Sequence, residues 1–381
     1  MGDIATFING RAYSKNELLH QGKYKVLRVG NFYTNDSWYY SDMELDKKYY
    51  ANYGDLLYTW SATFGPHIWK GEKVIYHYHI WKIILSDEIT KNFTLQLLEH
   101  DKNRLLAEKN GSTMIHLTKK DMENKEIVIP SSTNEQDKVG LLLTKLDYLI
   151  TLQQRKNQLL NKVIKYLTQN LFIQSDSLTP VLRFLSFNKK WTSTKIGKIM
   201  DVGSVKRIHQ SDWRESGIPF YRARDIIAIR QNKELPSPIY ISHEQYENYS
   251  ETSGKVNMND LLVTGVGTIG VPLLVKKTPI YFKDGNIIWL KNSNKLNGNF
   301  LFYVFQSSKI QDYIHSIAGV GTVPTYTIDS AKKTPIVFPE KSEQTDIANL
   351  LNTVTNMVHM SKSKKRVLMS IKNYLLQNMF I

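Results

Sequence analysis

One stretch of this chain occurs twice, and this repeat constrains the fold more than any other feature of the sequence. Residues 135–173 return as residues 343–381 after a shift of 208 positions, and 12 of the 39 aligned residues are identical. Neither copy contains proline, and apolar residues recur in each at alternating spacings of four and three. This spacing is typical of a coiled-coil helix. At about 1.5 Å per residue, each helix would be on the order of 55–60 Å long.

Each predicted helix has an apolar seam that is interrupted by polar residues at matching positions. The first seam is Leu142, Leu146, Leu149, Leu160, Val163 and Leu167, with Gln153, Lys156 and Asn170 as interruptions. The second seam is Leu350, Val354, Met357, Leu368, Ile371 and Leu375, with Ser361, Lys364 and Asn378 as interruptions. Because any amphipathic helix supplies leucines, the matched interruptions indicate duplication more strongly than the leucines do. In an antiparallel pair, the four central polar residues would meet in one hydrated layer.

The duplication extends to the blocks that precede the helices. Matching landmarks are Gly2-Asp3-Ile4 with Gly197-Lys198-Ile199, residues 26–31 with residues 220–225, Asp55-Leu56-Leu57 with Asp260-Leu261-Leu262, and Ile127-Val128-Ile129-Pro130 with Ile336-Val337-Phe338-Pro339. Between these landmarks the two blocks differ almost completely. We therefore predict an α+β protein in which two globular domains alternate with two long coiled-coil helices, as a pseudo-twofold internal repeat.

The predicted boundaries are a first domain at 1–130, a helix at 131–173, a linker at 174–190, a second domain at 191–339 and a helix at 340–381. In the first block we expect strands at 24–29, 55–60, 73–85 and 127–130, and a helix at 93–109. The second block is preceded by residues 182–191, from Leu182-Arg183-Phe184 to Trp191, which we call the lead-in segment. It has no counterpart before Gly2, so the first block either starts short or lacks this segment here.

The composition favours a polyanion as the partner. The chain has a net charge of +15 and no cysteine, so disulfides and thiolate metal sites are excluded and a reducing, cytoplasmic location is expected. Residues 174–339 carry 21 lysines and arginines against 13 acidic residues, whereas residues 1–130 carry 17 against 16. No apolar run approaches the roughly 20 residues of a membrane span, and no signal peptide precedes the first block.

Two motifs suggest catalysis or cofactor binding but fit another structure better. Residues 265–270 spell GVGTIG, yet Pro272 follows where a dinucleotide fold needs a helix, so we predict a strand–turn–strand. His77 and His79 alternate in a β-rich stretch without a nearby carboxylate or cysteine, so a metal site is not expected. No phosphate-binding loop and no Asn/Asp-Pro-Pro-aromatic motif of an amino-methyltransferase occurs in the sequence. We predict no catalytic residues and no metal.

Residues suited to DNA recognition lie at equivalent places in both blocks. Arginine and asparagine can pair bidentately with guanine and adenine edges, and small-residue turns offer hydroxyl and N–H groups to phosphates. The candidates are Arg28, Asn31, Ser112 and Thr113 in the first block and Arg222, Arg224, Asp225, Thr322 and Tyr326 in the second.

Taken together, these motifs resemble the specificity subunit of type I restriction–modification enzymes. The resemblance is carried by the lead-in segment, the Arg222-x-x-Asp225-Ile226 strand end, the Asp-Leu-Leu and Ile-Val-x-Pro landmarks, and the twin helices that end Gln-Asn-x-Phe-Ile. It covers the chain except for the missing first lead-in segment. It implies two target recognition domains, each of which reads one half of an asymmetric bipartite site in double-stranded DNA. It also implies that the two long helices form an antiparallel coiled coil between these domains.

The resemblance also implies the partners of this chain. Two modification subunits, which use S-adenosylmethionine to methylate adenine, would dock on the helices, and restriction subunits would supply ATP- and Mg-dependent translocation and cleavage. The chain itself would bind no cofactor and catalyse nothing. Two alternatives remain open, a coiled-coil scaffold that does not bind DNA and the recognition part of a fused DNA methyltransferase.

Overall fold

The computed structural model describes residues 1–61, 63–108, 117–174, 177–235, 237–318 and 323–380. The chain forms two compact units, which we call unit 1 (Met1–Arg155 with Lys362–Ile381) and unit 2 (Lys156–Ser361). Each unit contains one of the repeated blocks and part of both long helices. Within the described ranges, no helix is long and apolar enough to cross a bilayer.

The first block consists of short strands followed by helices. Its elements are β1 (Ala5–Asn9), β2 (Tyr24–Leu27), β3 (Tyr39–Ser41), β4 (Tyr50–Ala51), β5 (Leu56–Thr59), β6 (Gly65–Ile68), β7 (Val74–Tyr76), β8 (Ile80–Leu85), α1 (Lys91–Glu108), α2 (Lys119–Glu123) and the long α3 (Thr133–Leu171). The single strand predicted over 73–85 is two strands, because residues 77–79 turn the chain between β7 and β8.

The second block repeats this order with additional helices. Its elements are β9 (Thr192–Lys195), α4 (Ile196–Ile199), β10 (Asp201–Gly203), β11 (Ile218–Tyr221), α5 (Ala223–Arg230), β12 (Ile239–Ile241), α6 (His243–Ser253), β13 (Leu261–Thr264), β14 (Pro272–Leu274), β15 (Tyr281–Phe282), β16 (Ile287–Lys291), α7 (Gly298–Val304), α8 (Ser308–Ile317), α9 (Ile328–Lys333), β17 (Pro335–Phe338) and the long α10 (Lys341–Met379).

The two blocks share most of their sheet topology, and unit 1 adds β4, which pairs antiparallel with β7. An antiparallel sheet has the order β1-β8-β5-β6 in unit 1 and β10-β16-β13-β14 in unit 2. A second sheet is built on β2 or β11, each of which pairs antiparallel with the next strand in the chain and parallel with β7 or β15. The duplication that the sequence predicts is thus present at the level of strand order and direction.

The prediction of a closing strand is confirmed in one block and wrong in the other. In unit 2, β17 pairs antiparallel with β9, which directly follows the lead-in segment. In unit 1, the equivalent residues 127–129 form no strand. No strand lies beside these residues in the part of the chain that the structure describes. An Ile-Val pattern forms a strand only where another strand can satisfy its backbone groups.

The long helices pair antiparallel inside each unit. In unit 1, Lys372 of α10 bonds Asp147 of α3 at 2.5 Å, and Lys365 bonds Gln154 at 3.2 Å, so the numbering rises along one helix as it falls along the other. In unit 2, the end of α3 and the start of α10 share one apolar core. The predicted antiparallel pairing is confirmed.

The seam of these helices is shifted by one residue at every second position. Leu143, not Leu142, is fully buried, and Val358, not Met357, is buried at 5% exposed. Leu142, Leu149, Val163, Met357 and Ile371 are 42–47% exposed, and Lys156 and Lys364 are exposed as well. Apart from exposed Asn378, the other predicted seam positions are buried or half-buried: Leu146, Gln153, Leu160, Leu167, Asn170, Leu350, Val354, Ser361, Leu368 and Leu375. The predicted register was wrong at these positions because neighbouring residues, such as those at 142 and 143, are both apolar.

A glutamine in the first turn of each long helix ties that helix to its block. Gln136 accepts the Thr90 backbone N–H at 2.9 Å and donates to the Pro130 carbonyl at 2.8 Å. Gln344, its counterpart 208 positions later, accepts the Asn297 N–H at 2.9 Å and donates to the Pro339 carbonyl at 2.8 Å. Both glutamines are at most 1% exposed. Because buried backbone groups need hydrogen-bond partners, both copies of the helix have a glutamine at this position.

Candidate nucleic-acid interface

Arg28 and Arg222 hold the same structural position in the two units. Each is the first residue after a strand, β2 or β11, and each precedes a helical turn. The Arg28 backbone N–H donates to the Asn31 side-chain oxygen at 3.0 Å, and the Arg222 N–H donates to the Asp225 carboxylate at 2.9 Å. A side chain that reaches back to the backbone three residues earlier is one half of a capping box, which fixes the start of a helix.

The guanidinium groups of both arginines are bonded within their own units. Arg222 donates to both oxygens of Asp225, at 2.7 and 2.9 Å, and to the Ser237 carbonyl at 2.7 Å. Arg222 is 8% exposed and Asp225 only 2%. Arg28 likewise donates to the Ser37 carbonyl at 3.0 Å. Because a buried ion pair is costly to break, Arg222 and Asp225 hold the turn in place and are poor candidates for direct base contacts.

Arg224, two residues after Arg222, has a side chain that faces solvent. It is exposed and makes no hydrogen bond or ion pair with any residue that the structure describes. It lines a shallow surface pocket of about 450 Å³ together with Trp213, Lys283 and Asn286. Arginine and asparagine can read guanine and adenine edges, and lysine can neutralise a phosphate. This pocket therefore combines base-reading and phosphate-binding groups.

Unit 1 places the turn of residues 77–79 where unit 2 has residues 283–286. Matched backbone hydrogen bonds define the correspondence: His77 N–H to the Leu27 carbonyl at 2.9 Å and Lys283 N–H to the Tyr221 carbonyl at 2.8 Å, then Trp60 N–H to the His79 carbonyl at 3.1 Å and Gly265 N–H to the Asn286 carbonyl at 2.8 Å. His77 thus corresponds to Lys283, and His79 to Asn286. Gly30, two residues after Arg28, corresponds to Arg224.

The side chains at this surface of unit 1 are aromatic where those of unit 2 are basic. Tyr78 is 38% exposed, and its ring centre lies 3.9 Å from that of His79, which is 4.9 Å from Trp60. Burial, with smaller effects from His79 and Arg28, lowers the pKa of His77 to about 4. Burial also lowers the pKa of His79. These imidazoles are neutral near pH 7 and offer hydrogen bonds and ring faces, without charge.

Tyr326, a further predicted DNA contact, is buried and does not lie at this surface. Ser112, Thr113 and Thr322 lie outside the residues that the structure describes. Tyr326 is 2% exposed, its hydroxyl lies 2.6 Å from the Thr334 hydroxyl oxygen, and burial raises its pKa. Tyr326 therefore packs inside unit 2 beside the end of α9. Burying its large ring in the core stabilises the fold more than leaving the ring in water would.

The motifs that suggested other chemistry have structural explanations. Residues 265–270 connect β13 to β14, as predicted, and Gly267 and Gly270 adopt φ of +76°, which favours glycine. His77 and His79 lie in a turn, not on a strand as expected. In the described part of the chain, no three His, Cys, Asp or Glu side chains are grouped so that they could hold a metal ion.

The duplicated frame with two different recognition surfaces is matched by a known family. The family model described as the type I restriction modification DNA specificity domain matches residues 1–162 and 188–369. The chain belongs to this family. Its two DNA specificity domains correspond to the two copies of the repeat, and the resemblance inferred from the sequence is confirmed.

Named relatives agree with this assignment. The chain is 24% identical over 345 residues to the type I restriction enzyme MjaVIII specificity subunit of Methanocaldococcus jannaschii, a match that covers 84% of this chain and 76% of that protein. It is 31% identical over 172 residues to a putative type I restriction enzyme specificity subunit of Haemophilus influenzae, covering 43% and 42% of the two chains. The match to the EcoBI specificity subunit of Escherichia coli is 21% identical and covers 71% and 60%.

Solved structures share the fold. The crystal structure of a type I restriction–modification S subunit from M. genitalium aligns with a TM-score of 0.63 at 15% identity, covering 100% of this chain and 94% of that one. A chain from a structural study of complex assembly in the type I system aligns with a TM-score of 0.53 at 14% identity, covering 99% and 95%. The predicted α+β specificity-subunit architecture is thus confirmed.

The sequence alone did not reveal five residues of the candidate interface, namely Trp60, Tyr78, Trp213, Lys283 and Asn286. One signal was available for Tyr78. The stretch over 73–85 is too long for an average strand of about five or six residues, so a turn within it was to be expected. For Lys283 and Asn286, the signal was Asp284-Gly285 between two β-rich runs, a common hairpin turn.

Proposed function

We propose that this chain selects an asymmetric, bipartite DNA target, with one half bound by unit 1 and the other by unit 2. One observation carries the proposal: a shared backbone frame presents Arg224, Lys283 and Asn286 in unit 2 but Gly30, His77 and His79 in unit 1. Two related domains that recognise different DNA sequences need side chains that differ in chemistry at positions that are fixed by the same backbone.

The two surfaces would read DNA by different contacts. In unit 2, Arg224 and Asn286 would bond base edges in the major groove, while Lys283 would bind a phosphate. In unit 1, the neutral imidazoles of His77 and His79 would donate and accept hydrogen bonds, and Tyr78 would contact sugars or thymine methyls. Because more phosphate is neutralised by unit 2, the half bound by unit 2 would contribute more of the salt dependence.

The long helices would dock two identical modification subunits. Beside the buried seam, five exposed apolar residues on the helix segments of unit 1 have exposed apolar counterparts in unit 2. All ten are 40–73% exposed: Leu149, Leu152, Val367, Ile371 and Tyr374 in unit 1, and Met357, Met360, Leu159, Val163 and Tyr166 in unit 2. Each member of one set lies 208 positions from a member of the other. Large apolar residues in exposed, repeated positions mark a protein interface, and two equivalent copies suit two copies of one partner.

Catalysis would then belong to the partners. The modification subunits would bind S-adenosylmethionine and methylate adenine, and restriction subunits would use ATP and Mg. This chain would contribute neither cofactor nor reacting group, and its role would be to hold two reading surfaces and two docking surfaces in one molecule.

The test uses the chain in complex with its modification subunits and a randomised DNA library, with methylated sites as the readout. Arg224→Ala should weaken specific binding by about 1–3 kcal/mol and relax sequence preference in one half-site only. Lys283→Ala should weaken binding to all sequences and reduce the salt slope by about one. Lys255→Ala, which removes an exposed lysine paired with Glu247, is the matched control for lost charge. If Arg224→Ala left both half-sites unchanged, the assignment of this surface would be wrong.

A further inference from the structure

Another arginine of unit 2, Arg207, is bonded to the turn that carries Lys283 and Asn286. Its Nε donates to a carboxylate oxygen of Asp284 at 2.9 Å, and Asp284 follows Lys283 directly in this turn. The side chain of Asp284 is 15% exposed, whereas that of Arg207 is 70% exposed. The carboxylate thus anchors the guanidinium at one N–H, and the four N–H groups of its two terminal nitrogens make no hydrogen bond with the described residues.

The backbone around this arginine is fixed by the core of unit 2. Val205 and Ile208, which flank it, are both buried at 7% exposed. Between them, the Lys206 carbonyl accepts the hydroxyl of Tyr281 at 2.9 Å. Tyr281 belongs to β15, which leads into the turn that carries the carboxylate. The arginine and its carboxylate therefore come from two segments that are both held by the same strand.

Unit 1 lacks both members of this pair. Residues 2–17 are offset by 195 positions from their counterparts in unit 2, at the landmark glycine and again at the capped turn that follows. The counterpart of Arg207 is therefore Ala12. The turn of residues 77–79 is one residue shorter than that of residues 283–286 and contains no carboxylate. The arginine and the carboxylate are present together in one unit and absent together in the other, as expected of two groups that act as a pair.

We propose, building on the proposed function of this surface, that Arg207 pairs with a guanine in the half-site bound by unit 2. Asp284 is the positioning residue that orients its guanidinium. Arginine pairs bidentately with O6 and N7 of guanine, and a carboxylate at Nε leaves both terminal nitrogens for this contact.

The carboxylate favours a base contact over a phosphate contact for two reasons. A guanidinium that is already oriented loses less conformational freedom when it binds a base edge. The negative charge of Asp284 also offsets that of Arg207, so the pair attracts a phosphate less than the neighbouring Lys283 does. The turn thus presents a directional group and a simple cation side by side.

The test uses the chain in complex with its modification subunits and a randomised DNA library, with methylated sites as the readout. Arg207→Ala should weaken binding of the original target about tenfold or more and relax the preference at one G·C pair of one half-site. Arg207→Lys keeps the charge but lacks the planar fork, so it should relax the same pair and leave the salt slope unchanged.

Asp284→Asn tests the positioning role by a readout that a merely structural role would not change. Released from its carboxylate, Arg207 should bind phosphates, so affinity for unrelated DNA should rise and its salt slope should steepen by about one, while the preference for the G·C pair falls. Combining Asp284→Asn with Arg207→Ala should remove the gain in affinity. Glu247→Gln is the matched control: it releases exposed Lys255 in the same way and should leave the base preference unchanged.

The outcomes separate this pair from the rest of the surface. If Arg224→Ala relaxed one half-site and Arg207→Ala changed nothing, the proposed function would stand and the role of Arg207 would be wrong. If Arg207→Ala weakened binding to all sequences equally, Arg207 would contact a phosphate, which also overturns the proposal. If neither variant changed either half-site, the proposed function would fail as well. Urea midpoints of all variants should be equal, because an exposed ion pair contributes little to stability.

Discussion

At the scale of single residues, arginines that occupy similar sequence contexts have separate roles. Arg222 and Arg224 are two positions apart at the end of β11, yet Arg222 is bonded to buried Asp225 and Arg224 is open to solvent. The sequence marks both as suitable for DNA contacts, because arginine chemistry is the same in either place. Only burial and the position of Asp225 distinguish them.

This distinction predicts that alanine substitutions at Arg222 and Arg224 differ greatly in their effect on stability. Arg222→Ala leaves Asp225 buried without its cation, which typically costs 3–5 kcal/mol, so the unfolding free energy should fall by about that amount. Arg224→Ala should change it by less than about 0.5 kcal/mol, since an exposed and unpaired side chain is lost. Urea denaturation followed by circular dichroism measures both. If the two variants were equally stable, Arg222 would again be a candidate for contact with DNA.

His67 predicts a loss of stability in mild acid. Its ring stacks on Phe32 at 4.1 Å, and burial, followed by the charge of Lys102, lowers its pKa from 6.5 to about 4. Between pH 6.5 and about 4, His67 is therefore protonated in the unfolded chain but neutral in the folded chain. The unfolding free energy falls as the pH is lowered through this range. At pH 5 this one group should cost on the order of 2 kcal/mol relative to pH 7.

The measurement is the unfolding free energy of the chain at pH 7 and pH 5 in His67→Gln and in the unmodified protein. The substitution should reduce the difference between the two pH values. Exposed His20→Gln serves as the control and should leave the difference unchanged. A pH dependence that His67→Gln does not alter would show that His67 is protonated at little cost in the folded state.

At the scale of elements, the long helices show how far a periodic pattern can be interpreted. Their existence, length and duplication follow from the heptad spacing and the repeat, and α3 and α10 each contain 39 residues, offset by 208. Their antiparallel pairing was expected from the family resemblance. The register does not follow, because Leu142 and Leu143 both fit a seam and only packing against α10 chooses between them. The strand predicted at 127–129 fails in a similar way, since pairing depends on a segment distant in the sequence, whereas residues 336–338 pair with β9 as part of β17.

The register predicts a large difference between two adjacent leucines. Leu143 is fully buried, so Leu143→Ala should lower the unfolding free energy by about 2–5 kcal/mol through lost burial and a cavity. Leu142 is 43% exposed, so Leu142→Ala should cost about 0.5 kcal/mol or less. Urea titrations of the two variants check this directly. If docking of modification subunits uses the exposed face, Leu142→Ala should weaken complex assembly more than folding.

At the scale of the whole molecule, the repeat accounts for most of what the sequence could predict about function. The landmarks that match between blocks, such as Asp55-Leu56-Leu57 and Asp260-Leu261-Leu262, form the shared strands β5 and β13 and are required in both copies. The residues that would read DNA lie between landmarks, where the copies differ. A motif-based prediction finds the frame, because the frame is repeated, and it cannot find Lys283 or His77, because these positions are filled differently.

The last prediction concerns the helices as a spacer between the two reading surfaces. Inserting seven residues into each helix, after Gln153 and after Ser361, adds one heptad and preserves the seam, so both units should fold and bind modification subunits as before. Each helix would lengthen by about 10 Å, the length of about three base pairs. The variant should therefore fail to methylate the original target and should select sites with a longer spacer, or none.

Inserting four residues into α3 alone moves its seam out of register with α10 and should also abolish recognition of the original site. Methylation mapping across a set of spacer lengths is the readout, with circular dichroism and assembly of the complex as controls. A seven-residue variant that folds, assembles and methylates the original site with unchanged efficiency would show that the helices do not set the spacing.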